Sequence, residues 1–497
     1  MAQTEGFIER HGLWTADQHR LAAEIRTKAE RDKLRLFRLA WADPHGASRA
    51  KTVTLPAFLG AMENGYNINV ATTMLDASGA RTFASFTRGG GMGLDEMTGS
   101  PNLIIVPDPA TFRVLPWEPD VGWILCDEYF TSGVSFHFSP RHLLKKQIAK
   151  LSQRGMQSVI GLEVEWYLLK LADEHLTSEH VGSPGIKGRA PATYPAEPGF
   201  SLHSETNIDI IHKPIAVLTD VLEKLGLPLR SIENEWGPGQ LECTFAPRQA
   251  LDAADNMVLF RTATRQVCRR MGYLATFMSR PNLKGYYSSG WHLHQSLVDA
   301  ATGGNLFMPR TEGEALPPLA EHYLGGLVHS ALPATIFANP TITGYRRFRA
   351  NSLAPDRVAW CSDHRGVMLR VLAAANDPAS RIENRIGEPS ANPYLYMLSQ
   401  LVAGLDGIDN KRDPGPSETD PYTAQRPMLP KSLNDALALL EKDALFADEL
   451  GPLFIKYYTK LKRTELARYE TFIADNKIDP ASDETTAWEQ DEYFDFF

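Results

Sequence analysis

The chain has 497 residues, of which 43% are hydrophobic and 22% are charged. These values are typical of a globular protein, and the length is sufficient for two packed units or more. The formal net charge of −9 argues against nucleic acid or an anionic membrane as the main partner.

The first 133 residues predict a strand-rich unit that begins with a helix. The N-terminal stretch MAQTEGFIERHGLWTADQHR carries charges where a signal peptide needs an apolar region. DQHRLAAEIRTKAERDKL has apolar residues at helical spacing. LRLFRLAWADPHGASRAKTVTL predicts two strands joined by a turn at residues 43–46, and NLIIVPDPATFRVLPW and VGWILCDEYF predict further strands.

A second unit, residues 134–497, is predicted to open with the helix SPRHLLKKQIAKLSQRG, because Ser-Pro is a typical start and Gly a typical stop. The strand SVIGLEVEWYLLK follows, and HVGSPGIKGRAPATYPAEPGF predicts a long loop. NPYLYMLSQLVAGLDGI predicts a buried helix capped by Asn392. The sequence contains no run of about 18 apolar residues, so we expect no transmembrane helix.

The four cysteines form no CxxC pair, and we expect reduced, mostly structural thiols in a cytoplasmic protein. They are Cys126, Cys243, Cys268 and Cys361.

Two segments carry paired glutamates. In the strand GLEVEWYLLK, side chains two apart face the same way, so Glu163 and Glu165 project together. Such a pair is costly in an apolar strand without a cation, although a solvated strand face is the simpler alternative. In ENEWGPGQLECTF, Glu235 and Glu242 flank a tight Gly-Pro-Gly turn that can bring them together. The alternative is a hairpin with exposed acids.

Histidines and arginines alternate in two further strands. His292 and His294 share one face of SSGWHLHQSL, as metal or phosphate ligands or as buried core residues. In RIENR, Arg381, Glu383 and Arg385 face the same way, and a surface ion-pair ladder is the alternative reading.

Taken together, five glutamates and a histidine are a donor set that suits Mg²⁺ or Mn²⁺ better than Zn²⁺. Nearby arginines suit phosphate and carboxylate anions. The sequence has no Walker-type GxxxxGK[ST] loop. The residues therefore predict phosphoryl transfer held by metals and guanidiniums, in an enzyme that uses ATP or phosphate and acts on an anionic substrate.

With this combination the chain resembles the glutamine synthetase family. The matching motifs follow the family's order between Gly161 and Ile408: GLEVEW, ENEWGPGQLE, GWHLHQSL, NPTITGYRRF, HRGVMLRV, RIENR and SANPYLYMLSQLVAGLDGI. The resemblance implies an α+β fold, with a β-grasp-like domain at residues 1–133 and a catalytic domain of antiparallel strands and helices at 134–497. It also implies a ring-shaped homo-oligomer, typically a dodecamer, whose active sites lie between subunits.

The resemblance also implies roles, position by position. The metal beside glutamate takes Glu165, Glu235 and Glu242, and Glu165 also faces the glutamate. The metal beside the nucleotide phosphates takes Glu163, His292 and Glu383. L-Glutamate is held at its α-carboxylate by Arg347 and on its γ-carboxyl side by Arg385. The transferring phosphate is neutralised by Arg365 and Arg370. The nucleotide-side positions are His294, Ser296 and Arg381.

The implied reaction has two steps and uses ATP with two or more Mg²⁺ or Mn²⁺ ions per site. The γ-carboxylate of L-glutamate attacks the γ-phosphate of ATP and forms γ-glutamyl phosphate. An amine then displaces phosphate and forms an amide. Phosphorylation supplies the leaving group that a carboxylate lacks, and the metals and Arg365 stabilise the charge on the phosphoryl group.

Departures from the family pattern lie at the amine pocket. Leu353 stands where ammonia-using members have a flap glutamate. Arg88 and Asn102 stand where N-terminal aspartates bind ammonium, although Asp95 can reach the same space after a loop shift. Tyr287 stands where the family has asparagine.

These departures predict an amine other than ammonia. Ammonium is costly to bind in a pocket without carboxylates and needs a base before it attacks. An arylamine is neutral at pH 7, and each buried CH₂ contributes about 0.8 kcal/mol. We therefore expect a γ-glutamylamide synthetase resembling the γ-glutamylanilide synthases of amine degradation, with alkylamines second and polyamines third. The alternatives are an ammonia-using glutamine synthetase with Asp356 or Asp95 as base, and a non-catalytic family member.

Overall fold

The computed structural model describes residues 5–173, 175–313, 316–349, 352, 354–480 and 482–497. Leu353, the predicted marker of the amine pocket, lies outside the described residues. Within the described part, the chain forms one sheet of six strands and one of nine, with helices packed against both.

The α-helices of this part are α1 (Phe7–Arg10), α2 (Ala16–Arg31), α3 (Leu55–Asn64), α4 (Pro140–Gln153), α5 (Glu205–Ile210), α6 (His212–Lys224), α7 (Ala250–Arg270), α8 (Pro318–His329), α9 (Ala331–Ala338), α10 (Pro393–Asn410), α11 (Leu433–Leu440), α12 (Ala444–Leu450), α13 (Pro452–Asp475) and α14 (Ala487–Tyr493).

The β-strands are β1 (Leu36–Ala42), β2 (Ser48–Thr54), β3 (Tyr66–Asn69), β4 (Asn102–Pro107), β5 (Arg113–Leu115), β6 (Glu118–Tyr129), β7 (Met156–Leu171), β8 (Thr193–Pro195), β9 (Leu229–Asn234), β10 (Gln240–Phe245), β11 (Tyr273–Thr276), β12 (Trp291–Asp299), β13 (Trp360–Ser362), β14 (Leu369–Leu372) and β15 (Arg381–Gly387).

The N-terminal sheet has the order β2-β1-β6-β4-β3, with β5 also paired to β6. The hairpin between β1 and β2 turns where the sequence predicts it. Asp43 Oδ1 accepts hydrogen bonds of 2.9 Å from the N–H groups of His45 and Ala47. Gly46 has a φ of +79°, and a Cβ there would lie 2.7 Å from the Cα of Asn392. Glycine is required at this turn because the second unit packs directly on it.

The second sheet has the order β13-β14-β15-β12-β7-β10-β9, with β8 and β11 also paired to β7. All its pairs are antiparallel except β13 with β14. The long loop predicted at residues 180–200 contains the short strand β8, so that prediction is wrong at residues 193–195. β8 pairs with the end of β7, where a three-residue strand gives no periodicity that the Pro- and Gly-rich sequence could reveal.

The predicted helix at NPYLYMLSQLVAGLDGI is α10, which packs against α4, α7, α8 and α9. Asn392 Oδ1 accepts from the N–H groups of Tyr394 and Leu395 at 3.1 and 3.4 Å, as predicted for a cap. The buried core runs without a break from Trp123 in the first sheet to Trp166 in the second. The division at residue 133 therefore stays a prediction.

All four cysteines are buried and unpaired, so the expectation of free structural thiols is confirmed. In the part of the chain that the structure describes, no helix combines the length and apolarity needed to span a membrane.

Candidate active site

The predicted acids and histidines meet at the centre of the nine-stranded sheet. Glu163 and Glu165 project from one face of β7, and the residues between and beside them are buried. β12 places His292 directly opposite Glu163, and β10 places Glu242 directly opposite Glu165. Three strands thus deliver side chains to one patch because their register aligns the carboxylates with their neighbours.

Both histidines hydrogen-bond to Glu163. His292 Nδ1 lies 2.6 Å from one carboxylate oxygen, and His294 Nε2 lies 3.0 Å from the other. The Nε of Arg381 donates to His294 Nδ1 at 3.0 Å, so that ring carries its proton on Nε2 and donates it to Glu163. Although burial favours the neutral acid, these two histidines hold the pKa of Glu163 below its usual value.

Glu383 is buried on β15 opposite His294. Arg370 donates to one of its oxygens at 3.0 Å, and Arg385 donates to the other. Burial opposes its charge, but His292 and Arg385 outweigh burial and keep the pKa of Glu383 low. At this end of the patch the acids are balanced by cationic and donor groups.

At the other end, burial raises the pKa of Glu165 to about 8, and the charge of Glu235 adds to the effect. Burial raises the pKa of Glu242 to about 10, with further contributions from Glu163, Glu165 and Glu235. Burial also raises the pKa of Glu235. This end of the patch carries more acid than its own donors neutralise, which is the electrostatic environment that a divalent cation stabilises.

Two groups of side chains have the spacing of a metal site, with ligand atoms within 4.8 Å of one another. They are Glu163 with His294 and Glu383, and Glu163 with Glu242 and His292. Oxygen donors with one nitrogen fit Mg²⁺ or Mn²⁺. Among the described residues, neither group contains Glu165 or Glu235, so the predicted division into two ligand sets stays a prediction.

Gln240 supports the acidic end, and the sequence analysis gave it no role. Its Oε1 accepts from the Gly237 N–H at 2.8 Å, which closes the turn. Its Nε2 donates to Glu165 Oε2 at 3.2 Å and to the Ser289 hydroxyl at 2.9 Å. The signal was its position directly after the Gly-Pro-Gly turn, where the side chain starts β10 opposite Tyr167.

Arg347 lies beside this end with its guanidinium buried. Its Nη1 donates to the carbonyl oxygens of Ile386 and Gly387 at 2.8 and 2.7 Å. A Cβ on Gly290 would lie 2.5 Å from Nη2, so any larger residue there would displace the guanidinium from this position. Burial lowers the pKa of Arg347. The Gly290 N–H also donates to Glu165 Oε2 at 2.9 Å.

The sequence profile of the glutamine synthetase catalytic domain matches residues 137–480, more than half of the chain. The chain belongs to the glutamine synthetase family. The predicted membership is therefore confirmed, and so is the predicted α+β fold class.

Family relatives match between 76 and 99% of the chain. It is 44% identical to a γ-glutamylanilide synthase of an Acinetobacter species over 99% of both sequences. It is 31% identical to the glutamine synthetase of Halobacterium salinarum, over 79% of this chain and 82% of that protein. It is 29% identical to a glutamate–isopropylamine ligase of a Pseudomonas species, over 76% of this chain and 80% of that protein.

Solved structures of the family share this fold. A structure described as apo GmaS without ligand has a TM-score of 0.74 and 29% identity, covering 90% of this chain and 96% of that one. A GmaS complex with ADP also has a TM-score of 0.74, with 27% identity, and covers 91% of this chain and 99% of that one.

Two further predicted residues lie toward the end of the patch formed by His294 and Glu383. Ser296 is buried on the same face of β12 as His292 and His294. Arg365 is exposed, and its carbonyl oxygen accepts from Arg385 Nε at 3.1 Å. Within the described residues its guanidinium has no hydrogen bond or ion pair, so it is available to an anion.

The predicted amine-pocket residues lie in different regions of the chain. Tyr287 is half exposed, and its N–H and carbonyl groups both bond to the Tyr167 hydroxyl, at 3.0 and 2.9 Å. Arg88 belongs to the N-terminal unit and pairs with Asp95 at 3.4 Å. The place of Arg88 in the amine pocket therefore stays a prediction.

Asp356, one of the alternative bases, is buried and engaged by its neighbour. Arg357 Nε and Nη2 donate to its two carboxylate oxygens at 2.8 and 3.1 Å. Both oxygens of this carboxylate are therefore already hydrogen-bonded within the chain. Arg346, close to the proposed glutamate clamp, is likewise engaged, by Glu489 at 2.7 and 2.8 Å.

Proposed function

We propose that this protein is an ATP-dependent ligase that joins the γ-carboxyl group of L-glutamate to an organic amine, with an arylamine such as aniline preferred. One combined observation carries the proposal: the intact acid–histidine patch in a chain 44% identical, over 99% of its length, to a γ-glutamylanilide synthase. Glutamate–isopropylamine and glutamate–methylamine ligases are also among its relatives.

In this proposal the acidic patch holds two or more Mg²⁺ or Mn²⁺ ions. Glu165, Glu235 and Glu242 bind the ion beside glutamate. Glu163, His292 and Glu383 bind the ion beside the ATP phosphates. When bound, the ions supply positive charge that stabilises the transferring phosphoryl group. His294, Ser296 and Arg381 line the nucleotide side.

The arginines divide the anionic substrates between them. Arg347 holds the α-carboxylate of glutamate, since its guanidinium is fixed by two carbonyl oxygens beside Glu165. Arg385 lies on the γ-carboxyl side. Arg365 is exposed, and Arg370 is held by Glu383. In the first step a γ-carboxylate oxygen bonds to phosphorus and ADP leaves, and both arginines neutralise charge on the phosphoryl group.

In the second step the amine nitrogen bonds to the γ-carbonyl carbon and phosphate leaves. The attacking nitrogen must lose a proton. A neutral arylamine loses this proton only after it has attacked. Unlike ammonium, it does not bind as a cation and so does not need an anionic pocket. The engagement of Asp356 by Arg357 fits this requirement, because it leaves no free carboxylate at that position.

The proposal is tested by phosphate release that depends on ATP, glutamate and Mg²⁺, with aniline, isopropylamine, putrescine and ammonium as acceptors. We expect aniline to give the highest kcat/KM, with isopropylamine second. Ammonium as the best substrate would identify an ammonia-using glutamine synthetase. No phosphate release with any amine would show a non-catalytic family member.

The proposed role of Leu353 in amine selection is tested separately. Leu353→Glu restores the flap carboxylate of the ammonia-using enzymes, and we expect the ratio of ammonium to aniline turnover to rise. Leu353→Met, which conserves volume, is the matched control and leaves the ratio unchanged. An unchanged ratio in both variants contradicts the pocket argument.

We also propose a ring-shaped homo-oligomer whose N-terminal unit completes the site of a neighbouring subunit with Arg88. The observation behind this is that Arg88 and Asp95 are exposed and pair with each other within one chain. Light scattering after size exclusion measures the mass, and a monomer contradicts the proposal.

A further inference from the structure

Three exposed aromatic rings stand together beside the acidic end of the site. Phe200, Trp236 and Tyr287 are between 42 and 50% exposed, whereas most aromatic rings of the described core are buried. Their centroids lie 6.1 to 6.3 Å apart, with interplanar angles of 72 to 87°. These are edge-to-face contacts, so the rings do not stack face to face on one another, and each keeps about half of its surface exposed. We call these residues the aromatic triad.

Hydrogen bonds connect the triad to the residues of the site. Trp236 directly follows Glu235, and its carbonyl oxygen accepts from the Phe200 N–H at 2.8 Å. Tyr287 is held by the hydroxyl of Tyr167, two residues after Glu165 on the same face of β7. A Cβ on Gly237 would lie 2.3 Å from that hydroxyl, so the Trp236 turn and the Tyr287 segment meet at one atom.

Position along β7 separates the triad from the nucleotide end. His294 lies opposite Gly161, whereas the triad is anchored at Tyr167. Six residues of strand span about 20 Å. The triad therefore lies beyond Glu165, on the glutamate side, far along β7 from His294.

The backbone at Phe200 is strained. Its φ is +58°, a left-handed conformation that L residues with bulky side chains rarely adopt. The Trp236 carbonyl holds it there, and Gly285 leaves room for the ring, since a Cβ there would meet Phe200 Cζ at 3.3 Å. Strain of this kind persists at positions that bind ligands.

We propose that the aromatic triad binds the aryl group of the amine substrate, with Phe200 and Trp236 as specificity-determining residues in addition to Tyr287. This inference rests on the proposed glutamate–amine ligase function and names the surface that selects an aromatic amine. A flat neutral ring can stack on an open aromatic face, and burying exposed rings against it removes apolar surface from water. A small amine reaches no such contact.

The test compares two acceptors in the full-length protein: aniline, and hydroxylamine, a small nucleophile that also traps γ-glutamyl phosphate. For Trp236→Leu and Phe200→Leu we expect kcat/KM for aniline to fall about tenfold, because a lost aromatic contact is worth about that factor. The kcat/KM for hydroxylamine and the KM for ATP stay near their wild-type values. Trp236→Phe recovers part of the aniline activity.

Tyr194→Leu is the matched control, because Tyr194 is also half exposed but belongs to β8 and has no ring contact with the triad. It should leave both acceptors unchanged. Parallel losses with aniline and hydroxylamine, a raised KM for ATP, or a changed oligomeric mass with unchanged aniline preference would each overturn the inference. A wild-type protein that makes no glutamyl hydroxamate overturns the proposed function itself, and this inference with it.

Discussion

Two clusters of buried acids in this protein are built on opposite principles. In the first, Asp108, Asp127 and Asp255 surround the guanidinium of Arg141, each at 2.7 Å, and Lys145 adds a second cation. In the second, Glu165, Glu235 and Glu242 converge at the centre of the nine-stranded sheet with far less neutralisation from the protein.

The electrostatic consequences differ in sign. In the first cluster, burial opposes ionisation, but Arg141 and Lys145 hold the pKa of Asp127 and of Asp108 below its usual value. In the acidic patch, burial and like charges raise the pKa of Glu165 to about 8 and that of Glu242 to about 10. In the first cluster the protein itself supplies the cations that neutralise the acids, and these ion pairs connect separate elements of the fold. The second is stable as a charged group only with a cation from outside.

The largest expected effect is the loss of the internal cation. Arg141→Gln leaves three buried carboxylates without their main partner, and we expect the free energy of unfolding to fall by about 3–5 kcal/mol. Urea unfolding followed by tryptophan fluorescence measures this loss.

Arg154→Gln is the matched control for that variant. Arg154 forms a bidentate pair with Asp409, but both side chains are partly exposed. Removing such a pair changes the free energy of unfolding by less than about 1 kcal/mol. Equal losses in the two variants contradict the view that burial distinguishes the Arg141 cluster.

Sequence reasoning reached the acidic patch because its elements obey local rules. Strand periodicity places Glu163 and Glu165 on one face, and the same rule groups Arg381, Glu383 and Arg385. The family motifs supplied the remaining members. Local rules could not predict the strand register. Glu242 lies opposite Glu165 because whole strands pack in that alignment, and not because of the residues near either position.

The Arg141 cluster was invisible in the sequence for the same reason. Asp108 follows β4, Asp127 lies on β6 and Asp255 lies on α7, so the three acids come from separate elements. No motif marks them, since each has ordinary local surroundings. The sequence did not reveal the aromatic triad either. Tyr287 was predicted for the amine pocket, but Phe200, which contacts it, lies in a long loop whose sequence shows no helix or strand periodicity.

Removing one acid from the patch should have the opposite effect on stability. Burial raises the pKa of Glu242 to about 10, so without Mg²⁺ Gln replaces an acid that is already neutral at pH 7, and we expect the melting temperature to be unchanged or higher. Under the proposed ligand set, in which Glu242 binds a metal directly, the same variant loses at least about a hundredfold in kcat/KM, since a direct ligand matters at least as much as its outer partners. Thermal unfolding with and without Mg²⁺, together with the aniline assay, measures both effects.

Glu233→Gln is the control, because Glu233 lies directly opposite Glu242 on β9 but is outside the predicted ligand set. The Ser231 hydroxyl bonds to it at 2.6 Å. We expect this variant to keep its Mg²⁺-dependent rise in melting temperature and its activity. If Glu242→Gln lowers the melting temperature without Mg²⁺, the acids of the patch are not in excess, and the contrast with the Arg141 cluster fails.

The last expected effect separates two neighbours in the chain. Asp127 points to Arg141, whereas Glu128 is buried on the other face of β6, and burial raises its pKa from 4.5 to about 8. A raised pKa in the folded state means that folding takes up a proton between these values. Stability is therefore full below about pH 4.5 and falls as pH rises toward 8, by up to about 1.4 kcal/mol per pH unit.

Glu128→Gln should flatten the dependence of stability on pH between about pH 5 and 8. Asp127→Asn should act at the other end, because a lowered pKa contributes stability that is lost only as pH falls through acid values. Urea titrations from pH 3 to 9 on both variants distinguish the two windows. If the slope of stability against pH is unchanged in Glu128→Gln, the charge of Glu128 is neutralised by a partner. Asp127 and Glu128 would then not differ in the way that distinguishes the two clusters.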